Sequence, residues 1–389
     1  MPLTRCNKNI ASQRTLSENR MLDAANQDAH DLHRPGEEGR LLHANAEHPA
    51  VPRSKVGILI ANLGTPDGTD YWSMRRYLKE FLSDRRVVDV NRAIWWPLLN
   101  LVILTKRPFS SGEAYKSIWN EEKDESPLLT ITKDQVAKLR EKLNALYGDQ
   151  IEVDYCMRYG NPSTIKKIQE MQEKGCERIV FFPLYPQYAA PTTGTANDQA
   201  FNALQKLRWQ PYIRTVPAYY EHPDYIGSLA NVLNEHMAER EAKGEAKPDI
   251  VVASYHGVPL RYLTSGDPYH CQCQKTTRLL REQLGWDKEF LQTSFQSLFG
   301  KEEWLRPYSV EHVAELAKQG KKDLVMFAPG FSADCVETLE EINEEICEAF
   351  EEAGGERFTY LPCLNDRDDH INMLVDVIEN EAQGWLTKG

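Results

Sequence analysis

The sequence contains neither a long apolar run nor a regular cysteine framework. Its longest apolar stretch, residues 93–104, is a dozen residues long, whereas a membrane-spanning helix needs about 20. The eight cysteines are irregularly spaced along 389 residues, which argues against a disulfide-bonded secreted protein and favours a reducing compartment. The first residues include no apolar segment typical of a signal peptide. We therefore expect a cytoplasmic protein without a transmembrane helix.

Basic residues are also scarce. Lys and Arg number 46 against 58 Asp and Glu, which gives a formal net charge of -12. A surface of that sign repels the phosphates of nucleic acid, so we expect no nucleic-acid partner. The hydrophobic fraction of 41% is typical of a folded soluble protein, and the chain length favours two domains.

Residues 1–52 differ in composition from the rest of the chain. They are mostly polar and show no regular pattern of apolar residues, as in the segment from His33 to Gly39. We predict a disordered N-terminal extension there, because such a composition buries too little apolar surface to fold. The acidic residues scattered through it fit poorly with a mitochondrial transit peptide.

From residue 56 onward, short apolar runs alternate with amphipathic helical stretches. Buried parallel strands are predicted at Val56–Asn62, Ile151–Met157, Arg178–Leu184, Ile250–Tyr255, Phe290–Ser294, Leu324–Ala328 and Phe358–Leu361. Such alternation predicts an α/β fold with parallel sheets flanked by helices, and about eight strands favour two doubly wound sheets. We predict one domain over 53–243 and a second over 244–389, whose last helix is a candidate to pack back on the first domain.

Ligands in such folds bind beyond the carboxyl ends of the strands. His256 follows one strand, and neutral imidazole can accept a proton or bind a metal near pH 7, although a single histidine taken alone is more often structural. After another strand, Asp334, Glu337 and Glu341 share one face of a helix predicted over Asp334–Glu352. They form either a solvated acidic face or a track for a hard cation and protons.

Other residues near strand ends favour a pocket. Tyr188 and Thr193 offer an aromatic ring and a hydroxyl as a wall for a flat apolar ligand. Arg158 is placed either to hold a carboxylate in a forked contact or to make a structural ion pair, and Trp304 either stacks on a ligand or simply packs. The combination predicts a cleft for a large, flat, acidic ligand and a cation.

The apolar segment 93–107 has two interpretations. The adjacent Trp95 and Trp96, with Lys106 and Arg107 at the end, are typical of a segment that lies on a membrane surface. A buried helix or a loop that covers the core is the alternative.

Several motifs occur in a fixed order between about Val56 and Trp385. They are Gly57–Pro66, Phe81–Asp84, Met157–Pro162, Tyr185–Tyr188 with Thr192–Thr195, Ser254–Pro259, Gly266–Tyr269, Gln296–Leu305 and Phe331–Leu339. In this order they resemble the ferrochelatase family of bacterial type, whose members insert ferrous iron into a porphyrin as the terminal step of haem biosynthesis. Several motifs in register are more specific than any one of them.

The resemblance implies two Rossmann-like domains of the class II chelatase type, with the porphyrin cleft between them. It implies that His256 is the active-site histidine and that Glu337 faces it across the macrocycle, both being candidate metal ligands. Asp334 and Glu341 would form a path for protons or metal behind Glu337. The residues that it assigns to the porphyrin pocket are Leu63, Arg158, Tyr159, Tyr188, Thr193 and Trp304.

The implied reaction fits these residue types. A free-base porphyrin must lose two N–H protons as it takes up Fe2+, and a pocket that holds the ring puckered would stabilise the transition state. His256 is the candidate proton acceptor. The resemblance makes iron a substrate and requires no cofactor. It favours protoporphyrin IX, because the chain has Leu63 where relatives that prefer coproporphyrin have Tyr.

The resemblance also bears on the membrane and on cysteine. The segment around Trp95 and Trp96 matches the family's hydrophobic lip, which favours a cytoplasmic protein peripheral to the inner membrane. Some relatives bind an iron–sulfur cluster, and Cys271 and Cys273 are the candidate ligands of a [2Fe–2S] cluster here. Such a cluster needs four ligands, and unligated thiols or an adventitious metal are the simpler explanation.

Two other functions stay open. A chelatase for another metal or tetrapyrrole would bring several histidines into the cleft, where the sequence offers only His256. A non-catalytic porphyrin or haem carrier would need neither a base nor an acidic row, so the presence of both His256 and Glu337 favours the enzyme.

Overall fold

Two parallel sheets organise the part of the chain that the structure describes. The computed structural model describes residues 54–298, 300 and 302–387, so the predicted extension over residues 1–52 lies outside the described residues. The strands are β1 Lys55–Thr65, β2 Ile151–Gly160, β3 Cys176–Pro183, β4 Tyr212–Thr215, β5 Ile250–His256, β6 Leu291–Gln296, β7 Asp323–Phe327 and β8 Arg357–Leu361. The two sheets have the strand orders β2-β1-β3-β4 and β6-β5-β7-β8. The predicted α/β fold with two parallel sheets is confirmed.

Helices connect the strands and cover both sheets. The α-helices are α1 Tyr71–Leu82, α2 Arg92–Leu98, α3 Leu104–Ser117, α4 Pro127–Tyr147, α5 Thr164–Glu173, α6 Thr195–Lys206, α7 Pro223–Ala242, α8 Leu260–Thr264, α9 Tyr269–Leu284, α10 Ser309–Lys318, α11 Val336–Leu339, α12 Cys347–Glu352 and α13 Asp368–Glu381. The connections also contain π-helical segments at Leu99–Ile103, Ala190–Gly194 and Glu341–Ile346.

The strand β1 shows why a continuous apolar run predicts a parallel strand. It lies between β2 and β3 in the first sheet, and Ile58, Leu59 and Ile60 have no exposed surface. Ile58 and Ile60 pack into one apolar cluster and Leu59 into another on the opposite face. Because helices cover both faces of the sheet, consecutive residues of the strand are all buried.

Two elements differ from the sequence prediction. The edge strand β4, Tyr212–Thr215, was not predicted, because it is short and partly exposed and therefore lacks a continuous apolar run. The helix predicted over Asp334–Glu352 is divided into α11, the π-helical segment Glu341–Ile346, and α12. A short π-helical interruption shifts the helical register by only about one residue, and the apolar spacing of this segment does not reveal the break.

The two sheets share a continuous core. The largest apolar cluster contains Ile60 and Val180 from the first sheet with Val251 and Val325 from the second. The last helix, α13, packs against α4 and α7. The predicted domain boundary between residues 243 and 244 stays a prediction, and it falls between β4 and β5, so that each sheet lies wholly on one side of it.

Candidate active site

A cleft opens where strands of both sheets end. Its first cavity encloses about 1230 Å³, counting space open to solvent, and is lined by the carboxyl-terminal residues of β1 and by residues at or beyond the ends of β3, β5 and β7. A second cavity encloses about 1870 Å³, again including space open to solvent. Leu63, His256, Trp304 and Glu337 line both cavities. The structure therefore brings these four predicted site residues together at the junction of the two cavities.

The imidazole of His256 is held in one orientation. His256 is the last residue of β5, and its Nδ1 lies 2.6 Å from the carbonyl oxygen of Gly257. Since a carbonyl oxygen only accepts hydrogen bonds, Nδ1 carries the proton. The other ring nitrogen, Nε2, keeps its lone pair and is the atom that can take a proton or bind a metal.

A row of carboxylates borders the second cavity. Glu337 lies on α11, and it is followed by Glu340, Glu341 and Glu345, which also line this cavity. The row continues through the π-helical segment Glu341–Ile346. Such π-helical interruptions of α-helices are frequent at functional sites.

Two carboxyl groups of the row hold their protons more strongly than free glutamate does. Burial raises the pKa of Glu341, and the negative charge of Glu337 adds to the rise, although hydrogen bonds from Ser297 and the charge of His256 oppose it. Burial also raises the pKa of Glu340, and the neighbouring glutamates increase the effect. Carboxyl groups with raised pKa values are suited to accept and release protons closer to neutral pH.

Comparison with known proteins identifies the family. The family model described as Ferrochelatase matches residues 55–382. A ferrochelatase of Rhodobacter capsulatus is 61% identical over 347 residues, which covers 89% of this chain and 98% of the relative. The chain belongs to the ferrochelatase family. The predicted activity, insertion of Fe2+ into a porphyrin in haem biosynthesis, is thereby confirmed.

Other known proteins are similar over most of the chain. A ferrochelatase of Rhizobium meliloti (strain 1021) is 52% identical, with 89% of this chain and 100% of the relative covered. Among solved structures, SirB from Bacillus subtilis with Fe3+ is 11% identical and has a TM-score of 0.49, with 85% of this chain and 97% of that one covered.

In this ferrochelatase, Arg158 and Tyr159 lie outside the lining of both cavities. The Arg158 side chain is 9% exposed and forms an ion pair with Asp84, and the Tyr159 hydroxyl donates to the same carboxylate at 2.9 Å. Burial alone would raise the pKa of Asp84, but a hydrogen bond from Thr195 and the charge of Arg158 lower it. The alternative of a structural ion pair is therefore favoured, and we do not include Arg158 and Tyr159 in the proposed porphyrin pocket.

Tyr188 and Thr193 also lie outside the cavity lining. Their loop does reach the first cavity, but through other residues, namely Tyr185, Gln187, Ala189, Pro191 and Thr192. Thr193 is buried in the π-helical segment Ala190–Gly194. The prediction therefore identified the loop and not the side chains that face the cavity.

Asp334 differs from the other members of the predicted acidic path. It is buried and lines neither cavity. Its carboxylate accepts hydrogen bonds from Thr338 at 2.9 Å, from Tyr360 at 2.6 Å and from Asn365 at 2.6 Å. These bonds fix the start of α11, so Asp334 supports the acidic row without being part of it, whereas Glu341 does line the second cavity.

The candidate cluster cysteines do not lie side by side. Cys271 is exposed and Cys273 is buried on the same helix, α9. Residues two positions apart on an α-helix point about 200° away from each other. Burial also raises the pKa of Cys273, whereas a cluster ligand must be a thiolate. This arrangement does not favour a cluster on these two thiols, and the iron–sulfur cluster stays a prediction.

The cleft combines its carboxylates with a single histidine in the part of the chain that the structure describes. Among residues 54–298, 300 and 302–387, His256 is the only histidine that lines either cavity. Elsewhere, the ligand atoms of His222, Asp224 and Asp376 lie within 4.8 Å of one another. Both aspartates are exposed, and acidic groups at a surface are common without an ion, so we assign this group no role.

Sequence reasoning missed many of the residues that line the cavities, among them two on α3 and one just before Glu337. Arg107 and Tyr115 on α3 line the second cavity, and Tyr115 lines the first as well. Cys335 lines the first cavity two positions before Glu337, and burial raises the pKa of its thiol. Cys335 could have been identified from the sequence, because it lies in the segment after β7. The residues on α3 could not, because nothing in the sequence places that helix beside the cleft.

The apolar segment 93–107 has one buried side and one exposed side. Trp95 is buried, and its indole Nε1 donates to the carbonyl of Leu82 at 2.8 Å. The exposed apolar side chains are Ile94, Trp96, Leu98, Leu101 and Val102, and Leu101 is 73% exposed. None of the helices in the described part of the chain is long and apolar enough to cross a membrane.

Proposed function

We propose that this ferrochelatase inserts Fe2+ into protoporphyrin IX held between His256 and Glu337. The observation that carries the proposal is that Leu63, His256, Trp304 and Glu337 line both cavities of the cleft. A porphyrin at this junction supplies the nitrogen ligands for iron. The protein therefore needs no preformed cage of metal ligands, and only has to deliver the ion and remove the protons.

His256 is the proposed proton acceptor and a transient metal ligand. Its Nδ1 is committed to the carbonyl oxygen of Gly257 at 2.6 Å, so the two pyrrole protons of the substrate pass to Nε2 one at a time, the first being released to the acidic row before the second is taken. The imidazolium formed in this way is stabilised by the same carbonyl and by the nearby carboxylate of Glu341, with which His256 interacts electrostatically. Stabilisation of a charge that appears only during the reaction lowers its barrier.

Glu337 and Glu341 are the proposed path for protons or iron. Both line the second cavity together with Glu340 and Glu345, and carboxylate oxygens are suitable ligands for a hard cation. The raised pKa values of Glu340 and Glu341 support proton exchange along the row. The exchange of two protons for one Fe2+ does not change the total charge of the site.

The preference for protoporphyrin IX is proposed from Leu63. This apolar side chain lines both cavities, and it stands where relatives that prefer coproporphyrin have Tyr. Protoporphyrin IX carries apolar vinyl groups where coproporphyrin carries two further propionates. An apolar wall therefore stabilises the former more than the latter.

We also propose that the protein is cytoplasmic and binds the inner-membrane surface through the lip, which we define as the exposed apolar side chains of residues 94–102. The exposure of Leu101 and Trp96 supports this, because apolar groups exposed together gain free energy when they enter a lipid interface. The neighbouring residues Trp95, Arg107 and Tyr115 line the second cavity. An apolar porphyrin dissolved in the membrane would therefore have a short route into the cleft.

Anaerobic insertion of Fe2+ into protoporphyrin IX, followed by absorbance, tests the reaction. We expect haem formation by the unchanged protein, and a loss of about 100-fold or more in kcat for His256→Ala and Glu337→Gln, with porphyrin still bound. The matched control is His236→Ala, because His236 lies on α7 and lines neither cavity. Porphyrin binding without iron insertion by the unchanged protein would favour a carrier or a chelatase for another metal.

Flotation with vesicles of anionic and zwitterionic lipid tests the membrane surface. We expect Leu101→Glu to reduce binding strongly, because the side chain is exposed and its replacement does not disturb the core. Leu146→Glu is the control, since Leu146 is also exposed but lies on α4, away from the lip. Equal binding by both variants would contradict the proposal.

A further inference from the structure

Gln296, which has no chemical reactivity of its own, contacts both sides of the proposed active site. It is the last residue of β6, and in the parallel pairing of β5 with β6 it lies directly beside His256. Its side chain is buried, with 4% of the residue exposed. A buried amide must satisfy its donors and acceptor within the protein, so its partners show what it holds in place.

The main chain of Gln296 fixes the peptide that orients His256. Its carbonyl oxygen accepts a hydrogen bond from the backbone N–H of Gly257 at 2.7 Å. The carbonyl oxygen of that same Gly257 accepts the bond from His256 Nδ1 at 2.6 Å. A Cβ at position 257 would come within 2.6 Å of the Gln296 oxygen, so the close approach requires glycine.

The side chain of Gln296 fixes the acidic helix. Its Nε2 donates to the carbonyl oxygen of Glu337 at 2.6 Å and to the carboxylate of Glu341 at 3.4 Å. Its Oε1 accepts from the Ser254 hydroxyl at 2.6 Å. The amide orientation is determined by these partners, because two acceptors lie on one side and a donor on the other.

Ser297 extends the same connection. Its backbone has a φ of 64°, in the left-handed region that a non-glycine residue rarely adopts. In this conformation its N–H and hydroxyl donate to the two carboxylate oxygens of Glu341 at 2.5 and 2.6 Å. Gln296 and Ser297 together thus bind the acidic row to the strand that lies beside His256.

We propose that Gln296 is a positioning residue of iron insertion, which sets the separation of His256 and Glu337 across the porphyrin. This inference rests on the proposed function of those two residues. The main chain of Gln296 holds the histidine side of the cleft, and its side-chain amide holds the glutamate side. A reaction in which one side takes protons while the other interacts with the ion depends on that separation.

The test compares Gln296→Met with Gln135→Met. Methionine fills a similar volume but cannot donate to Glu337. Gln135 is a matched control, because it is also fully buried and its Nε2 donates to two backbone carbonyls, of Ser332 at 2.8 Å and of Asn365 at 3.0 Å. It has no bond to His256 or Glu337.

We expect Gln296→Met to lower kcat by about 10- to 100-fold, since a small misplacement of reacting groups has effects of that size. Its affinity for protoporphyrin IX, measured by fluorescence, and its KM should stay within about threefold. Gln135→Met should lower the melting temperature to a similar extent while its kcat stays within about threefold. A kcat loss in Gln296→Met no larger than in the control, or one accompanied by an equal loss of porphyrin affinity, would overturn the proposal.

Ser254→Ala decides the matter if Gln296→Met does not fold. It removes the donor to the amide oxygen, so the expected loss of kcat has the same sign and is smaller, with porphyrin affinity unchanged. An unchanged kcat in Ser254→Ala would count against the positioning role. Haem formation by the unchanged protein distinguishes a failure of this inference from a failure of the proposed function. If the unchanged protein forms no haem, the proposed function itself is contradicted.

Discussion

Acidification is expected to destabilise the protein through a buried histidine that lines neither cavity of the cleft. His370 is buried on α13 with 1% of its surface exposed, and its Nδ1 lies 2.7 Å from the carbonyl oxygen of Asn365. Burial lowers the pKa of His370 from 6.5 to about 4, although the bond to Asn365 opposes the shift. Below pH 6.5 the unfolded chain therefore binds a proton at this position that the folded protein does not bind.

The magnitude follows from the two pKa values. The folded-state pKa is the lower one, so the contribution to stability is complete above pH 6.5 and is lost as the pH falls toward 4. With those values the free energy of unfolding falls by about 2 kcal/mol between pH 7 and pH 5, and by about 3 kcal/mol by pH 4. One such group is a large part of the stability of an ordinary protein.

Urea denaturation at pH 7 and pH 5 measures this effect when His370→Asn is compared with the unchanged protein. The asparagine amide can take the place of Nδ1 as donor to the Asn365 carbonyl, but it does not titrate. The variant is less stable at both pH values because it leaves a small cavity. The difference in stability between the two proteins should shrink by about 2 kcal/mol at pH 5. Equal losses in both proteins on acidification would refute the reasoning.

Three further predictions concern other parts of the molecule. Asp84→Ala leaves Arg158 buried without its partner and should cost about 3–5 kcal/mol in urea denaturation, much of it recovered when Arg158→Met is added; an unchanged stability contradicts the structural role. Leu63→Tyr should shift the ratio of iron-insertion rates from protoporphyrin IX toward coproporphyrin, and a constant ratio would remove Leu63 as the determinant. Because Cys271 and Cys273 point in different directions on α9, we expect protein isolated without air to lack stoichiometric iron and acid-labile sulfide; their presence, and their loss in Cys271→Ser, would instead establish a [2Fe–2S] cluster.

The parallel strands were predictable because their physics is local. A strand such as β1 is buried on both faces, so its apolar run is continuous and visible in the sequence. The strand β4 is a short edge strand, and its residues Tyr212–Thr215 are partly exposed, so no such run marks it. The same reasoning drew attention to His256 and Glu337, which line the cleft, because His256 ends one strand and Glu337 lies in the segment after another.

The direction of individual side chains was not predictable in the same way. Arg158 has the chemistry to bind a propionate, and only the fold shows that Asp84, 74 positions away, already pairs with it. Asp334 looked like a member of the acidic row, yet its carboxylate is engaged by Tyr360 and Asn365. Gln296 was not predicted as a site residue, because an amide is not a reactive group. Its importance lies in the residues that it connects.

The lip has a practical consequence for work with the purified protein. Leu101 is 73%, Ile94 66% and Trp96 48% exposed within a single short segment. In plain buffer these side chains would drive association between molecules, which a surfactant or lipid would reverse by covering them. Light scattering should therefore show larger particles as the protein is concentrated without amphiphile, and specific activity should vary with the surfactant chosen. Rates measured in different detergents are comparable only when the covering of this segment is the same.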